Sequence, residues 1–297
     1  MAADEILCVG EILWDSLPAG LFLGGAPFNV AGHLRALGLP GAIVSRVGDD
    51  QLGHEAIRRA ARLGVPVDLI QLDRHLATGF VSVELDEAGS PHYEFLSPAA
   101  WDNIELTASV AERAAGARAL VFGTLAQRSE ASRTTLGSLL DYPLVKVLDL
   151  NLRPPYDDRD VVLSSLERAE VVKLNEGEMA TLGRWLSLPE ELRPAAEALA
   201  DRFGFKAVCV TRGGCGAVLL REGRWTEHPG YRVQVVDTVG AGDAFLAGFL
   251  KGYLEGAPDH VLLEEANLLG AFVASRAGAI PPHDGETMKS IRGGGSH

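Results

Sequence analysis

Six short, largely apolar runs punctuate the chain: Ile6–Val9, Ala42–Val47, Ala119–Phe122, Val145–Leu150, Val171–Leu174 and Ala207–Thr211. Strands of this kind are buried on both faces, which happens when helices cover the two sides of a parallel sheet. The longer stretches between them carry helical spacing. In Phe28–Leu37, for instance, Val30, Leu34 and Leu37 recur at steps of four and three. The alternation predicts an α/β fold. The 297 residues allow one large domain or two. No linker, internal repeat or low-complexity block divides the pattern, so a single domain is expected over residues 1–292, with a flexible tail at 293–297.

One region has a different texture. Phe80–Leu85 alternates apolar with polar residues, Glu87-Ala-Gly-Ser-Pro91 is rich in turn formers, and His92–Leu96 resumes the strand pattern. This reads as a hairpin with one wet face. The segment Trp14–Leu23 adds a further strand or two to it. Residues 12–24 and 77–101 are therefore expected to form a small β excursion from the core.

Composition narrows the partners. Lys plus Arg number 27 against 40 Asp plus Glu, a formal charge of −13. That balance opposes general binding to nucleic acid or anionic membrane, which calls for a basic surface. Three cysteines, Cys8, Cys209 and Cys215, cannot make a disulfide framework. The opening residues are acidic, and no apolar run reaches the ~18 residues of a membrane span. A soluble, cytoplasmic protein is expected.

Four segments carry chemistry. The first, Asp237-Thr-Val-Gly-Ala-Gly-Asp-Ala-Phe245, leads into an apolar helix over Ala244–Leu254. Gly240 and Gly242 let backbone approach a ligand, and the helix start offers unpaired N–H groups, with that of Ala241 between them, that can hold a phosphoryl group. Asp243 there either accepts a proton from an attacking hydroxyl or simply caps the helix. The second, Gly24–Asn29 with Asp15 before it, places side chains that pair with several hydroxyls beside paired glycines; it also reads as a loop entering a helix. The third, Thr211-Arg-Gly-Gly-Cys-Gly216, follows an apolar strand and either cradles phosphates or makes a hairpin into Ala217–Leu220. It has neither P-loop nor dinucleotide spacing. The fourth comprises two strand ends, Asp149-Leu-Asn-Leu-Arg153 and Asn175-Glu-Gly-Glu178, at the position where open α/β sheets bind ligands. Asn175 and Glu178 also have capping-box spacing. Arg153 either neutralises a phosphate, meets an acidic substrate, or is structural.

The nonapeptide resembles the C-terminal signature of the ribokinase-like (PfkB-type) carbohydrate kinases. Gly24-Gly-Ala-Pro-Phe-Asn-Val-Ala31, Leu37-Gly38 and Arg46-Val-Gly-Asp-Asp50 resemble the N-terminal one. The resemblance runs from about residue 6 to about residue 282. It implies a Rossmann-like, ribokinase-type three-layer core with a β lid, which coincides with the hairpin, and transfer of the γ-phosphoryl of ATP to a sugar hydroxyl. It implies Asp243 as base and Gly240-Ala241-Gly242-Asp243 as anion hole. Asp15, Gly25 and Asn29 fall on sugar-binding positions, and Thr211, Gly213 and Gly216 on ATP contacts. Asn175 and Glu178 match the motif that places phosphate and magnesium, the metal being reached through water. Asn267, on the apolar helix Val261–Ala274, falls beside adenine. Asp237, Val239, Arg276 and Gly278 match positions that hold a monovalent cation such as potassium, although Pro282 replaces a hydroxyl residue used there.

For the acceptor, Gly24–Asn29, Ala99-Ala-Trp-Asp102 and Asp149–Arg153 look most like bacterial fructokinases, implying fructose phosphorylated on its 6-hydroxyl. The alternatives are 2-keto-3-deoxygluconate, whose carboxylate Arg153 would meet, then ribose and nucleosides. A sugar- or nucleotide-binding protein without catalysis is the rival of a different class, and a nicotinamide oxidoreductase is disfavoured by the missing fingerprint after Val9. Apolar lid residues such as Phe80 and Val83 suggest a homodimer through the lid.

Overall fold

The structure is a computed structural model that describes residues 4–17, 20–85 and 91–294. Its strands are β1 Ile6–Val9, β2 Leu13–Leu17, β3 Gly20–Gly24, β4 Gly41–Gly48, β5 Ile70–Asp73, β6 Gly79–Leu85, β7 Pro91–Phe95, β8 Ala119–Phe122, β9 Val145–Asp149, β10 Val171–Asn175, β11 Ala207–Thr211, β12 Ala217–Arg221 and β13 Arg224–His228. The helices are α1 Ala26–Ala36, α2 Gln51–Arg62, α3 Ala108–Gly116, α4 Glu130–Leu139, α5 Arg159–Arg168, α6 Glu176–Leu186, α7 Leu192–Phe203, α8 Ala241–Glu255, α9 Asp259–Ala274 and α10 Gly285–Arg292.

Nine strands form one sheet in the order β13-β12-β11-β10-β9-β8-β1-β4-β5. All neighbours are parallel except the β11–β12 and β12–β13 pairs at one edge. The apolar runs are explained by double burial. Along β1, Ile6 and Cys8 enter the core shared with α1, α2, α8 and α9, while Leu7 and Val9 enter the one shared with α3 to α7. Successive strand residues thus alternate between two cores, and neither face needs polar residues. No helix among the described residues is long and apolar enough to cross a membrane.

The second sheet, β3-β2-β6-β7, is the β excursion. Strand β2 pairs antiparallel with β3 and parallel with β6, and β6 pairs antiparallel with β7. Residues 86–90 of the expected hairpin turn, and 295–297 of the expected tail, lie outside the described residues. Phe80 is partly buried against the core containing α1 and α2. The Ala99–Asp102 stretch is structural. Trp101 and Asp102 are buried, Asp102 binds both Nε and Nη2 of Arg128 at 2.8 Å, and the Arg128 guanidinium lies 3.8 Å over the Trp101 ring.

Helix starts come earlier than the apolar spacing indicates. α8 begins at Ala241, not Ala244, and α1 at Ala26, not Phe28. In both cases a glycine with positive φ precedes the helix (Gly240 at 77°, Gly25 at 110°), and the first turn carries a polar residue, Asp243 or Asn29, that breaks the apolar pattern.

Candidate active site

β1 sits between β4 and β8, so the chain winds outward from β1 to β5 and then resumes on the other side at β8. The carboxyl ends of strands beside such a reversal form a crevice. Glu11 follows β1, Asp149 ends β9, Asn175 ends β10 and Thr211 ends β11; the N-termini of α1 and α8 face the same opening.

The centre is Asp243, in the first turn of α8. Asn29, in the first turn of α1, donates from Nδ2 to Asp243 Oδ2 at 2.8 Å across 214 residues of sequence. Asn29 is buried, and its Oδ1 has no partner among the described residues. An orphaned buried acceptor of this kind fits a ligand hydroxyl. Asp243 does not cap its helix: Gly240 is the N-cap and makes no side-chain bond, which settles the capping alternative against Asp243. Burial raises the Asp243 pKa to about 6, and the nearby Asp149 charge adds to this; Lys173, the Asn29 bond and Arg153 act the other way.

Beneath the turn lies a buried ion pair. Lys173 Nζ is 2.9 and 3.2 Å from the two Asp149 oxygens, and a side chain at Gly242 would come within 3.2 Å of the same nitrogen. Burial opposes the lysine's charge, but Asp149, Glu178 and Asp243 hold its pKa above the ordinary value. Sequence reasoning missed Lys173. The available signal was a lysine inside the apolar run Val171–Leu174, where an unpaired charge would be very costly.

The side of the cleft formed by β2 and the start of α1 is built around Gly25. Any side chain there would lie 2.3 Å from the Glu11 carbonyl oxygen, so the backbone closes against that residue. Glu11 was also missed by the sequence reading; its Oε1 accepts from the Ala26 N–H at 3.1 Å, and burial pushes its pKa to about 7. Asp15 projects from β2 next to Gly24, where a side chain would be 2.6 Å from its Oδ2. Burial raises the Asp15 pKa to about 6, opposed by the Arg153 charge. Arg153 is exposed, and its positive charge acts on Glu11, Asp15 and Asp243 alike.

The remaining residues divide. Asn175 and Glu178 do form the capping box, with Asn175 Oδ1 accepting from the Glu178 N–H at 2.9 Å and Glu178 Oε2 from the Asn175 N–H at 2.8 Å. Glu178 Oε1 accepts from the Leu152 N–H at 2.9 Å, which fastens the end of β9 to that of β10. Thr211 ends β11, and Gly213–Cys215 form a 3-10 turn into β12, so the hairpin alternative describes this segment's geometry. Gly216 (φ 81°) packs against His228 and Gly230 backbone, a structural reason for that glycine. Asn267 is buried and donates to Leu263 O one turn back at 2.7 Å. Asp237 accepts from the N–H groups of Val239 (3.0 Å) and Gly278 (3.3 Å), joining the two segments expected around a cation. The Arg276 guanidinium binds Thr287 Oγ1 at 2.7 Å, so only its backbone is available there. A concavity of about 860 Å³ lined by Glu197, Lys206, Arg221 and Tyr253 lies at the opposite end of the strands and shares no residue with this cleft.

A doubly wound sheet with a β lid, and a carboxylate in the first turn of a glycine-led helix, define a class that moves phosphoryl groups onto sugar hydroxyls. The chain belongs to the pfkB family of carbohydrate kinases, whose pattern matches residues 19–284, and it is a phosphotransferase acting on a sugar hydroxyl. It is 30% identical to a fructokinase of Klebsiella pneumoniae over 97% of this chain and 99% of that one. Its fold matches the sugar kinase PH1459 of Pyrococcus horikoshii with a TM-score of 0.83 at 27% identity, covering 96% of this chain and 97% of the other. It also matches a Vibrio cholerae fructokinase solved with fructose, ADP and potassium, with a TM-score of 0.83 at 24% identity over 98% of each chain, a likeness of fold alone. Family membership sets aside the non-catalytic binder and the oxidoreductase.

Proposed function

We propose that this kinase phosphorylates D-fructose at the 6-hydroxyl using MgATP, with Asp243 as general base. The observation that carries the reading is the Asn29–Asp243 bond, which brings the base and the acceptor-side helix to one point. The sugar lies between Asp15, Gly25 and Asn29, with a hydroxyl donating to the orphaned Asn29 Oδ1. Asp243, ionised above its pKa of about 6, takes the proton from the attacking oxygen. The N–H groups of the Gly240–Asp243 turn receive the charge that spreads over the transferring phosphoryl oxygens. ATP runs along the ends of β10 and β11, past Asn175, Thr211, Gly213 and Gly216, with adenine toward Asn267. Closure of the lid over the sugar excludes water as a competing acceptor.

Magnesium supplies charge neutralisation at the ATP phosphates. Each Glu178 oxygen accepts one backbone N–H and keeps a lone pair, which fits a role through bound water. A monovalent cation, potassium in this reading, would be held by Asp237 and the backbone of Val239, Arg276 and Gly278, the segments Asp237 already joins. A homodimer through the lid is supported by Leu21 and Leu96, each 39% exposed, rather than by Phe80; the Val83 side chain lies outside what is described. We place the enzyme in the cytoplasm, where ATP is available and an exposed free thiol such as Cys215 stays reduced.

A second acceptor is favoured by one observation. The exposed Arg153 acts on three carboxylates of the cleft, which suits an acidic sugar such as 2-keto-3-deoxygluconate. ADP release with MgATP against fructose, 2-keto-3-deoxygluconate, ribose and adenosine separates the readings. Fructose should give the highest kcat/KM, and Asp243→Asn should lower kcat by about 10²–10⁴-fold. Turnover unchanged in that variant would remove Asp243 as the base.

A further inference from the structure

His33 lies one helical turn after Asn29 on α1, fully buried. Its Nε2 is 2.9 Å from the Ala279 carbonyl oxygen and its Nδ1 is 3.1 Å from His283 Nε2, the two rings stacking at 5.4 Å between centroids. A carbonyl only accepts, so His33 carries its proton on Nε2. Burial lowers its pKa to about 4, so the ring is neutral at working pH and Nδ1 is bare. His283 must then donate from Nε2, which completes an ordered chain from His283 through His33 to the Ala279 carbonyl. His283 is the titratable group acting on His33, and the aromatic ring of Phe272 meets the His283 edge at 6.0 Å.

What this chain holds is the wall behind the phosphoryl-binding turn. A side chain at Gly240 would lie 2.6 Å from the Ala279 oxygen and 2.7 Å from its Cα, so the turn rests directly on the Ala279 backbone. Gly32, beside His33, likewise admits Ile280, to which a side chain there would come within 2.7 Å.

We infer that His33 and His283 are a positioning couple for phosphoryl transfer: two hydrogen-bonded imidazoles, one on α1 and one just before α10, that fix the Ala279 peptide against Gly240 and thereby set the first turn of α8. The inference rests on the reading of that turn as the phosphoryl cradle. A displacement of the cradle acts on the transition state, while the sugar contacts at Asp15 and Asn29 stay in place. His33→Leu should therefore lower kcat on the order of 10–100-fold with the fructose KM unchanged. His33→Gln, which keeps a donor for Ala279, should recover most of the loss. A purely structural histidine would show lower stability with normal kcat per folded molecule, and that result overturns the couple. If His33→Leu fails to fold, His283→Ala removes only the outer, partly exposed link. The same fall in kcat at constant KM is expected there, and an unchanged kcat overturns the inference. Ring ¹H–¹⁵N correlation spectra of the full chain give a readout independent of turnover. His33 should be protonated on Nε2 alone, and protonation on Nδ1 refutes the chain. A wild type that turns over none of the sugars would count against the proposed function, and the ring spectra would then decide the couple by themselves.

Discussion

At the scale of single residues, the site is a balance among carboxylates that share little water. Glu11, Asp15 and Asp243 all have raised pKa values, and burial is the largest cause in each. Asn29 is the neutral counterweight, because its amide favours the ionised form of Asp243. Removing that donor should raise the Asp243 pKa further. For the Asn29→Ala variant, the acid limb of the kcat profile should move to higher pH than the wild-type limb near 6, measured on the turnover that remains. A limb that stays in place would mean that Asn29 acts on the sugar alone.

At the scale of elements, Arg128 ties the end of the lid to the core. Arg128 is sandwiched between Trp101 at 3.8 Å and Tyr156 at 4.7 Å, binds Asp102 through two nitrogens, and donates to the Leu96 carbonyl just beyond β7. Removing one partner of a buried ion pair leaves the other uncompensated, at a cost of about 3–5 kcal/mol. Asp102→Ala should show a loss of that order in chemical denaturation, whereas a loss below about 1 kcal/mol, the level of a surface pair, would make the contact incidental. The strands were the legible part of the fold: β1, β8 and β11 match their apolar runs residue for residue, since double burial leaves a continuous signal. The glycine-led turn with Asp243 was equally plain. Lys173, Glu11 and the His33–His283 couple were not, because each depends on a partner distant in sequence, and apolar spacing says nothing about which buried polar groups will meet. The pairing of Asp102 with Arg128 was hidden in the same way, although the Ala99–Asp102 stretch did point to the fructokinase-like relatives.

For the whole molecule, the site sets stability and activity against each other. A carboxyl whose folded pKa is raised stabilises the fold fully below its unfolded pKa and loses that contribution as pH rises through the folded value. For Asp243 the window runs from about 4 to about 6. His33, lowered to about 4, works in the opposite sense below 6.5, so comparing two proteins is cleaner than one profile. Asp243→Asn should be more stable than wild type above pH 6, by roughly 1–3 kcal/mol, with the gap closing toward pH 4. Thermal unfolding at matched pH values tests this, and a gap independent of pH would show that the carboxylate charge is not the source. Asp243 is ionised in the same range where its charge costs stability, the trade expected of the base proposed above.

The separation of 214 positions from Asn29 to Asp243 also bears on how the enzyme comes into being. The ribosome delivers α1 long before α8. In the proposed reading a nascent chain therefore carries the hydroxyl-binding Asn29 long before the base, and any stop ahead of α8 yields a product without Asp243. On that reading activity waits for α8, however much of the chain has folded before it.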